Sequence, residues 1–194
     1  MFVQLDQIEV DMRRSLAEGV SNRASPMHTA VMATADADLR VMVLRAFDAK
    51  SWTVRLHTDA RSSKVAVIGE GAPVGLLFYD AEARIQIRAK GAGRIETRGP
   101  AADAAWAAAS NHARRCYLAN AAPGSAMAAA GSGLPEDVEG QRPSDDQLIP
   151  ARGNFAVLQV QLQELDWLCL DHEGHRRARF VIADGKCQGT FTVP

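Results

Sequence analysis

Apolar and β-branched residues recur along most of the chain in short runs, the pattern of strands that are buried on one or both faces. These runs predict strands over 27–34, 40–47, 52–58, 73–79, 84–97, 154–163, 166–170, 176–183 and 188–193. Gly91 and Gly93 lie within the longest run and indicate a bulge or a sharp coil, as barrel strands often need. Many short strands, few helices and no internal repeat predict a mainly β, split-barrel type of fold with added helices.

Helical spacing is confined to three segments. Val3, Ile8, Met12 and Leu16 predict an amphipathic helix within residues 1–24, at about 3–19. A short helix is predicted over 62–68, ended by Gly69, and an alanine-rich helix over 101–118 with Trp106 packed inward. Residues 123–150 change to Ala, Gly and Ser and then to acidic residues with proline, which predicts a long loop. We expect residues 1–194 to form a single domain.

Charge and cysteine usage narrow the class of protein. A net charge of −1 and a pI near 6.5 argue against broad nucleic-acid or membrane binding. The three cysteines are far apart and form no C-x-x-C pair, which favours a reducing compartment. No apolar run approaches the roughly 18 residues of a membrane span, and the first residues carry acid where a secretion signal would carry base. We therefore expect a cytoplasmic protein.

Residues 40–64 concentrate the anion-binding chemistry of the chain. Arg40 and Arg45 lie in one predicted strand, and the next strand ends in Thr58 before a helix whose first turn carries Ser62, Ser63 and Lys64. Hydroxyl and cationic groups at a helix start suit a phosphate, because unpaired N–H groups and the positive dipole end lie there. The alternative is an ordinary helix cap, by Asp59 or Ser62, with charges that face solvent.

The sequence gives little support for a nucleotide-binding site, a hydrolase nucleophile or a metal site. No glycine-rich dinucleotide fingerprint or P-loop occurs, and Ser125 has no nucleophile-elbow context. His172 and His175 share a predicted turn with no third ligand in view, so we expect no metal site. Arginines in or beside the predicted strands, by contrast, exceed what solubility requires and would suit a half-buried phosphate.

The order and spacing of several segments resemble the pyridoxamine/pyridoxine 5′-phosphate oxidase-like family, the FMN-binding split barrels. The matching segments are Arg40-Val-Met-Val-Leu-Arg45, His57-Thr-Asp-Ala-Arg-Ser-Ser-Lys64, Val74-Gly-Leu-Leu-Phe-Tyr79, Gln86-Ile-Arg-Ala-Lys-Gly91, Trp106, Tyr117, Leu165-Asp-Trp167 and His175-Arg-Arg-Ala-Arg-Phe180. The resemblance implies a homodimer that holds FMN at the subunit interface and acts on a small-molecule substrate.

Individual roles follow from the resemblance. It implies that Arg40 and Lys64 bind the FMN phosphate, helped by Ser62 or Ser63, and that Thr58 meets the flavin or its ribityl chain. Gln86 would hydrogen-bond the ligand, and Arg45 would lie between flavin and substrate. Trp167 and Arg179 would approach the flavin from the second subunit, Arg45 and Arg177 would be the catalytic groups, and Tyr117 and Ser125 would face the substrate.

The departures from the family pattern lie on the substrate side. Ala121 stands where the phosphate oxidases have an arginine, and His175 and Arg177 replace an arginine and a histidine of their C-terminal signature. Ser63 replaces a phosphate-loop arginine, for which Arg61 is a candidate substitute. We expect an FMN-dependent oxidoreductase that is not a vitamin B6-phosphate oxidase. The alternatives are a non-catalytic split-barrel protein that binds FMN, haem or a deazaflavin, and a relative in fold alone that binds no cofactor.

Overall fold

The computed structural model describes residues 4–194. Its strands are β1 (Thr29–Ala33), β2 (Leu39–Asp48), β3 (Thr53–Asp59), β4 (Ala72–Asp80), β5 (Ile85–Glu96), β6 (Phe155–Cys169), β7 (Arg176–Ala183) and β8 (Lys186–Thr192). The α-helices are α1 (Leu5–Ser21), α2 (Ser63–Ile68), α3 (Pro100–Ala108) and α4 (Asn111–Arg114). The predicted N-terminal helix is confirmed, although Val3 lies outside the described residues.

Six antiparallel strands close into a barrel. The order β3-β2-β1-β4-β5-β6 returns to β3 through a direct β3–β6 pairing, so these six strands leave no open edge between them. Strands β7 and β8 then extend the sheet beyond β6. The mainly β, barrel-type architecture predicted from the alternating pattern is confirmed.

One long strand serves both the barrel and its extension. The first half of β6, residues 155–161, pairs with β3, whereas residues 164–169 pair with β7. Opposite β5 the register skips Gln163, because Lys90 faces Glu164 while Gly91 faces Leu162. The sequence predicted two strands here, and that was wrong: the irregularity at Gln163 is a bulge, and it bends a single strand without ending it.

Gly91 allows the close approach of β5 and β6 at this bulge. A Cβ built at Gly91 would overlap the backbone carbonyl oxygen of Gln161 on β6. Only glycine therefore fits there without separating the two strands. The bulge predicted near Gly91 and Gly93 is confirmed.

The main hydrophobic core fills the barrel and extends under helix α1. Trp52, Phe78, Trp167 and Phe180 are each 2% exposed or less, and α1 adds its buried face to the same cluster. That face of α1 consists of Ile8, Met12 and Leu16. The helix therefore packs on the body of the fold, as its spacing predicted.

A second, smaller core lies outside the barrel, beneath α3 and the turns that follow it. Tyr117, Leu148, Phe155 and Val157 are buried there, and half-buried Trp106 packs against them. The single helix predicted over 101–118 is wrong. The chain is extended at residues 109–110, and the Ser110 hydroxyl accepts from the Ala113 N–H and so starts α4 anew.

Residues 123–150 form a long connection, as predicted, in which Asp146–Leu148 and the start of Pro150–Asn154 are 3-10 turns. Buried Val138 and Leu148 anchor it, and the Asn120 N–H donates to the Gly133 carbonyl oxygen. The connection is therefore attached to the body of the domain at several points.

Candidate functional site

Three polar side chains converge where β3 ends and α2 begins. Lys64 Nζ lies 3.1 Å from Thr58 Oγ1 and 2.9 Å from Ser62 Oγ, and the two hydroxyl oxygens are 3.1 Å apart. Thr58 and Ser62 are buried and Lys64 is half-buried. We call Arg40, Thr58, Ser62 and Lys64 the anion corner, because the Arg40 guanidinium also approaches Lys64 closely enough to affect its ionisation.

Electrostatics at the anion corner favour an incoming anion. Burial lowers the pKa of Lys64, and the positive charge of Arg40 lowers it further. The ammonium group is therefore under-solvated and lacks a carboxylate within ion-pair distance among the described residues. An oxyanion placed there would meet two cations and two hydroxyl donors, which is a donor set suited to phosphate.

Arg40 is held in place by the turn between β1 and β2. Its Nη1 donates to Thr34 Oγ1 at 3.0 Å, and its Nη2 donates to the Asp38 carboxylate. Thr34 Oγ1 in turn donates to Asp36 Oδ1 at 2.6 Å. The sequence analysis missed Asp38 and Thr34, although a carboxylate two residues before Arg40 was a visible signal for a local ion pair.

The residues around Ser62 do not form the ordinary helix cap considered as the alternative. Ser62 occupies the N-cap position of α2, but its hydroxyl donates to the Asp59 carbonyl oxygen and makes no capping bond. The Asp59 carboxylate pairs with Arg61, and Arg61 also donates to the Ala119 carbonyl oxygen. The Arg61 guanidinium is therefore engaged by Asp59 and Ala119, which does not favour it as a substitute for the missing arginine. Ser63 is exposed.

Arg45 lies on the opposite side of β2 from Arg40. It is the extra residue of a bulge, since the β2–β3 register shifts between Leu44 and Ala46. Its charge lowers the pKa of His57 and acts on Tyr117, so it lies by the second core. Tyr117 is buried, and burial raises the pKa of its hydroxyl. Arg45 and Tyr117, both predicted for the ligand or substrate side, are thus neighbours.

A third group of predicted residues lies on the outer face of the sheet. Asp166 on β6, 8% exposed, accepts hydrogen bonds from Arg88 Nη2 at 2.6 Å and from Arg177 Nε at 2.9 Å. Arg179 Nε adds a longer contact of 3.3 Å. Burial alone would raise the pKa of Asp166, but the hydrogen bonds from Arg177, Arg88 and Arg179 outweigh it and lower the pKa to about 2.

The Asp166 cluster continues into an apolar surface. Cross-strand pairs connect one row over six strands, namely Val41, Val31, Leu77, Arg88, Asp166 and Arg179. Leu39 and Val41 at one end are 63% and 67% exposed. A groove of about 630 Å³ along this row is lined by aliphatic residues and by the charged residues Arg88, Lys90, Glu164, Asp166 and Arg179. Gln86 lies two residues before Arg88, so β-alternation puts it on this face.

Two predicted residues belong neither to the anion corner, nor to the neighbourhood of Arg45 and Tyr117, nor to the outer face around Asp166. Trp167 is 0% exposed within the main core, and this burial does not favour the predicted contact with a flavin held by another subunit. β-Alternation explains the burial, because Leu165 and Trp167 face inward and Asp166 faces outward. Ser125 is exposed in the 123–150 connection, and its hydroxyl makes no hydrogen bond to the described residues.

Comparisons with known proteins agree with this architecture. Residues 10–97 match the family model described as pyridoxamine 5′-phosphate oxidase, FMN-binding domain. No protein of curated function matches the chain in sequence.

Solved structures share the fold over nearly the whole chain. A pyridoxamine 5′-phosphate oxidase-related, FMN-binding protein from Nostoc punctiforme PCC 73102 is 21% identical with a TM-score of 0.67, over 97% of this chain and 95% of that one. PhzG from Burkholderia lata 383, in complex with tetrahydrophenazine-1-carboxylic acid, is 18% identical with a TM-score of 0.69, over 100% and 98%. A general stress FMN/FAD binding protein from Xanthomonas citri is 14% identical with a TM-score of 0.51, over 86% and 91%.

The resemblance to the pyridoxamine 5′-phosphate oxidase-like family that the sequence indicated is confirmed. Within residues 4–194, no helix is both long enough and apolar enough to cross a membrane.

Proposed function

We propose that this chain, whose residues 10–97 match the FMN-binding domain of the pyridoxamine 5′-phosphate oxidase family, binds FMN and acts as an oxidoreductase. The observation that carries the proposal is the anion corner, where Arg40, Lys64, Thr58 and Ser62 form a half-buried donor set of the kind that a phosphate ester requires. When bound, FMN would supply the redox chemistry by accepting a hydride and passing electrons to an acceptor.

The residues of the anion corner would hold the phosphate end of the cofactor. Lys64 and Arg40 would donate charge-assisted hydrogen bonds, and the hydroxyls of Thr58 and Ser62 would turn from each other toward the phosphate oxygens. Ser63 is the weaker candidate of the predicted set, because its side chain is exposed. Asp38 now occupies one side of the Arg40 guanidinium, so binding would weaken that ion pair.

We propose a homodimer with the site at its interface. In one copy the predicted residues divide between the anion corner and the outer face that carries Gln86, Arg177 and Arg179. This division favours a site to which two copies contribute. The exposed Leu39 and Val41 on the outer face also favour burial against a second copy, since aliphatic surface is stabilised by removal from water.

The substrate side supports an activity other than B6-phosphate oxidation. Arg45 and Tyr117 remain near each other, but Ala121 supplies no charge and Ser125 lies exposed in the connection. Losing one charged partner weakens binding of a phosphorylated substrate by about tenfold or more. Arg177 and Arg179 would instead act from the outer face, where their shared carboxylate Asp166 orients them.

The test begins with the purified full-length protein. We expect mass spectrometry of the small molecule released on denaturation to find FMN, and the native protein to show flavin absorbance that dithionite bleaches. We expect light scattering to give twice the chain mass. A protein that stays colourless after reconstitution with FMN would refute the proposal.

Turnover separates an enzyme from a flavin-binding module. The dithionite-reduced protein should be reoxidised by an acceptor, and reduced nicotinamides and B6 vitamers should be tried as donors. Tight FMN binding without turnover by any donor would favour the non-catalytic alternative.

A further inference from the structure

Two surfaces of opposite charge lie on one copy of the chain. The first, which we call the acidic segment, is residues 135–146, where five acidic residues stand against one arginine and give a net charge of −4. The second, which we call the basic patch, lies along the groove of the outer face. Its four cations and two carboxylates give a net charge of +2, and they are Arg88, Lys90, Arg177, Arg179, Glu164 and Asp166.

Most of the acidic segment has no basic partner in its own chain. Buried Val138 anchors the segment, whereas all five acidic side chains are exposed. Only Asp145 lies within ion-pair distance of a basic side chain, 3.8 Å from Arg114 Nη1. Three acidic residues make neither an ion pair nor a side-chain hydrogen bond with any of residues 4–194, namely Glu136, Glu139 and Asp146.

The basic patch is only partly neutralised by its own carboxylates. The Lys90 side chain is 73% exposed and lies 3.3 Å from Glu164, which is itself 56% exposed. Arg88, 49% exposed, donates to Asp166 at 2.6 Å. Both oxygens of Asp166 also accept from Arg177, so one carboxylate serves several guanidinium groups. Arg88 and Lys90 therefore remain available to further carboxylates.

The two surfaces lie at opposite ends of β6 and face no common space within one copy. Arg115 Nη1 donates to the Gln141 carbonyl oxygen at 2.6 Å, which fixes the acidic segment beside α4. Just beyond the segment, Leu148 is buried in the second core with Phe155, the first residue of β6. Asp166 lies eleven residues further along that strand, from position 155 to position 166, or about 36 Å. The opposite charges can therefore meet only between copies.

We propose that the acidic segment of one copy binds the basic patch of a second copy, where its carboxylates contact Arg88 and Lys90. In a two-fold dimer both contacts form together, because each copy offers one surface of each sign. Complementary charges at an interface guide association and fix its register. The inference rests on the homodimer of the proposed function, and it deepens that proposal by naming the segment that meets the outer face.

The first test is chemical cross-linking of the full-length protein loaded with FMN. A carbodiimide joins a lysine amine to a carboxylate that it contacts. Copies with natural and with heavy nitrogen are mixed, and native mass spectrometry verifies that mixed dimers have formed. We expect links from Lys90 to Glu136 or Glu139 that join a light peptide to a heavy one. Lys90→Arg keeps the charge and should abolish these links, whereas Lys50→Arg, at an exposed lysine in the turn after β2, should not.

The second test requires no lysine at a suitable distance. The combined Glu136→Gln and Glu139→Gln variant should raise the dimer dissociation constant about tenfold in low salt, as measured by sedimentation, and the difference should shrink in high salt. The matched control combines Glu18→Gln and Glu70→Gln, two exposed acids outside the acidic segment, and should change the constant little.

The outcomes separate this inference from the proposed function. Light-to-heavy links at the acidic segment, or a weakened dimer that the control does not reproduce, support the contact. An FMN-bound dimer that shows neither effect, with Lys90 linked only to Glu164, overturns this inference alone. A protein that binds FMN as a monomer overturns both the homodimer and the contact. A protein that takes up no FMN loses the proposed cofactor, whatever the cross-links show.

Discussion

The sharpest prediction concerns Lys64, because its replacement should weaken ligand binding without weakening the fold. In Lys64→Met the aliphatic part of the side chain is kept and the ammonium is lost. The Nζ group now lies 2.9 Å from Ser62 Oγ and 3.1 Å from Thr58 Oγ1, at the centre of the anion corner. Any phosphate held there would lose its central cation.

The magnitude follows from the interaction that is removed. A hydrogen bond to a charged group contributes about 1.5–3 kcal/mol, so the dissociation constant of FMN should rise about 10- to 150-fold. Without ligand the ammonium is poorly solvated, since burial lowers the pKa of Lys64. The unfolding free energy of the FMN-free protein should therefore stay within about 1 kcal/mol of wild type or increase.

Two measurements test this pair of effects. Quenching of FMN fluorescence gives the dissociation constant, and urea unfolding of the FMN-free protein gives its stability. Lys50→Met, at an exposed lysine in the turn after β2, serves as the matched control and should change neither. FMN affinity within twofold of wild type in Lys64→Met would refute the assigned role. A loss of stability of several kcal/mol would show instead that the lysine supports the fold.

Three further predictions concern other parts of the molecule. Asp38→Asn frees the Arg40 guanidinium of its carboxylate, so FMN should bind about fivefold tighter by fluorescence titration, a gain of about 1 kcal/mol; weaker binding would contradict a competing role for the carboxylate. The pKa of Asp166 is lowered to about 2 in the folded protein. The ionised carboxylate therefore adds about 2 kcal/mol to the unfolding free energy above the unfolded-state pKa near 4, and this contribution is lost as pH falls toward 2. Asp166→Asn should remove that pH dependence from urea unfolding curves. Gly91→Ala should destabilise the protein by about 2 kcal/mol or more in the same assay, because its Cβ would overlap a β6 carbonyl, whereas Gly71→Ala meets no atom within 4 Å and should be close to neutral.

Patterns local to the chain predicted most of the elements. Strands from β1 to β5, β7 and β8 lie within a few residues of the predicted runs, because alternating burial leaves a direct mark on the sequence. The failures came where a local signal had two meanings. The polar residues around Gln163 read as a gap between strands, and Ser110 was hidden inside an alanine-rich run. At both positions a single residue changes the path of the backbone, while the amino-acid composition around it stays the same.

The anion corner could be predicted because its members are close in sequence. Thr58, Ser62 and Lys64 span seven residues, so one strand end and one helix start bring them together whatever the rest of the fold does. Arg40 joins them through a neighbouring strand. Arg45 lies elsewhere because it is five residues further along β2, and alternation puts residues at an odd separation on opposite faces.

Sequence alone thus determined the alternating strands, the helix at the N-terminus and the position of the hydrogen-bond donors of the anion corner. Tertiary structure decided the rest. Asp166 meets Arg88 across 78 residues of sequence, and Trp167 is buried while its neighbour is turned to the outer face. These outcomes depend on the register in which β6 pairs with β5, β3 and β7, and a shift of one residue would exchange every side chain between the two faces. Register is set by contacts between distant segments, so no local pattern contains it.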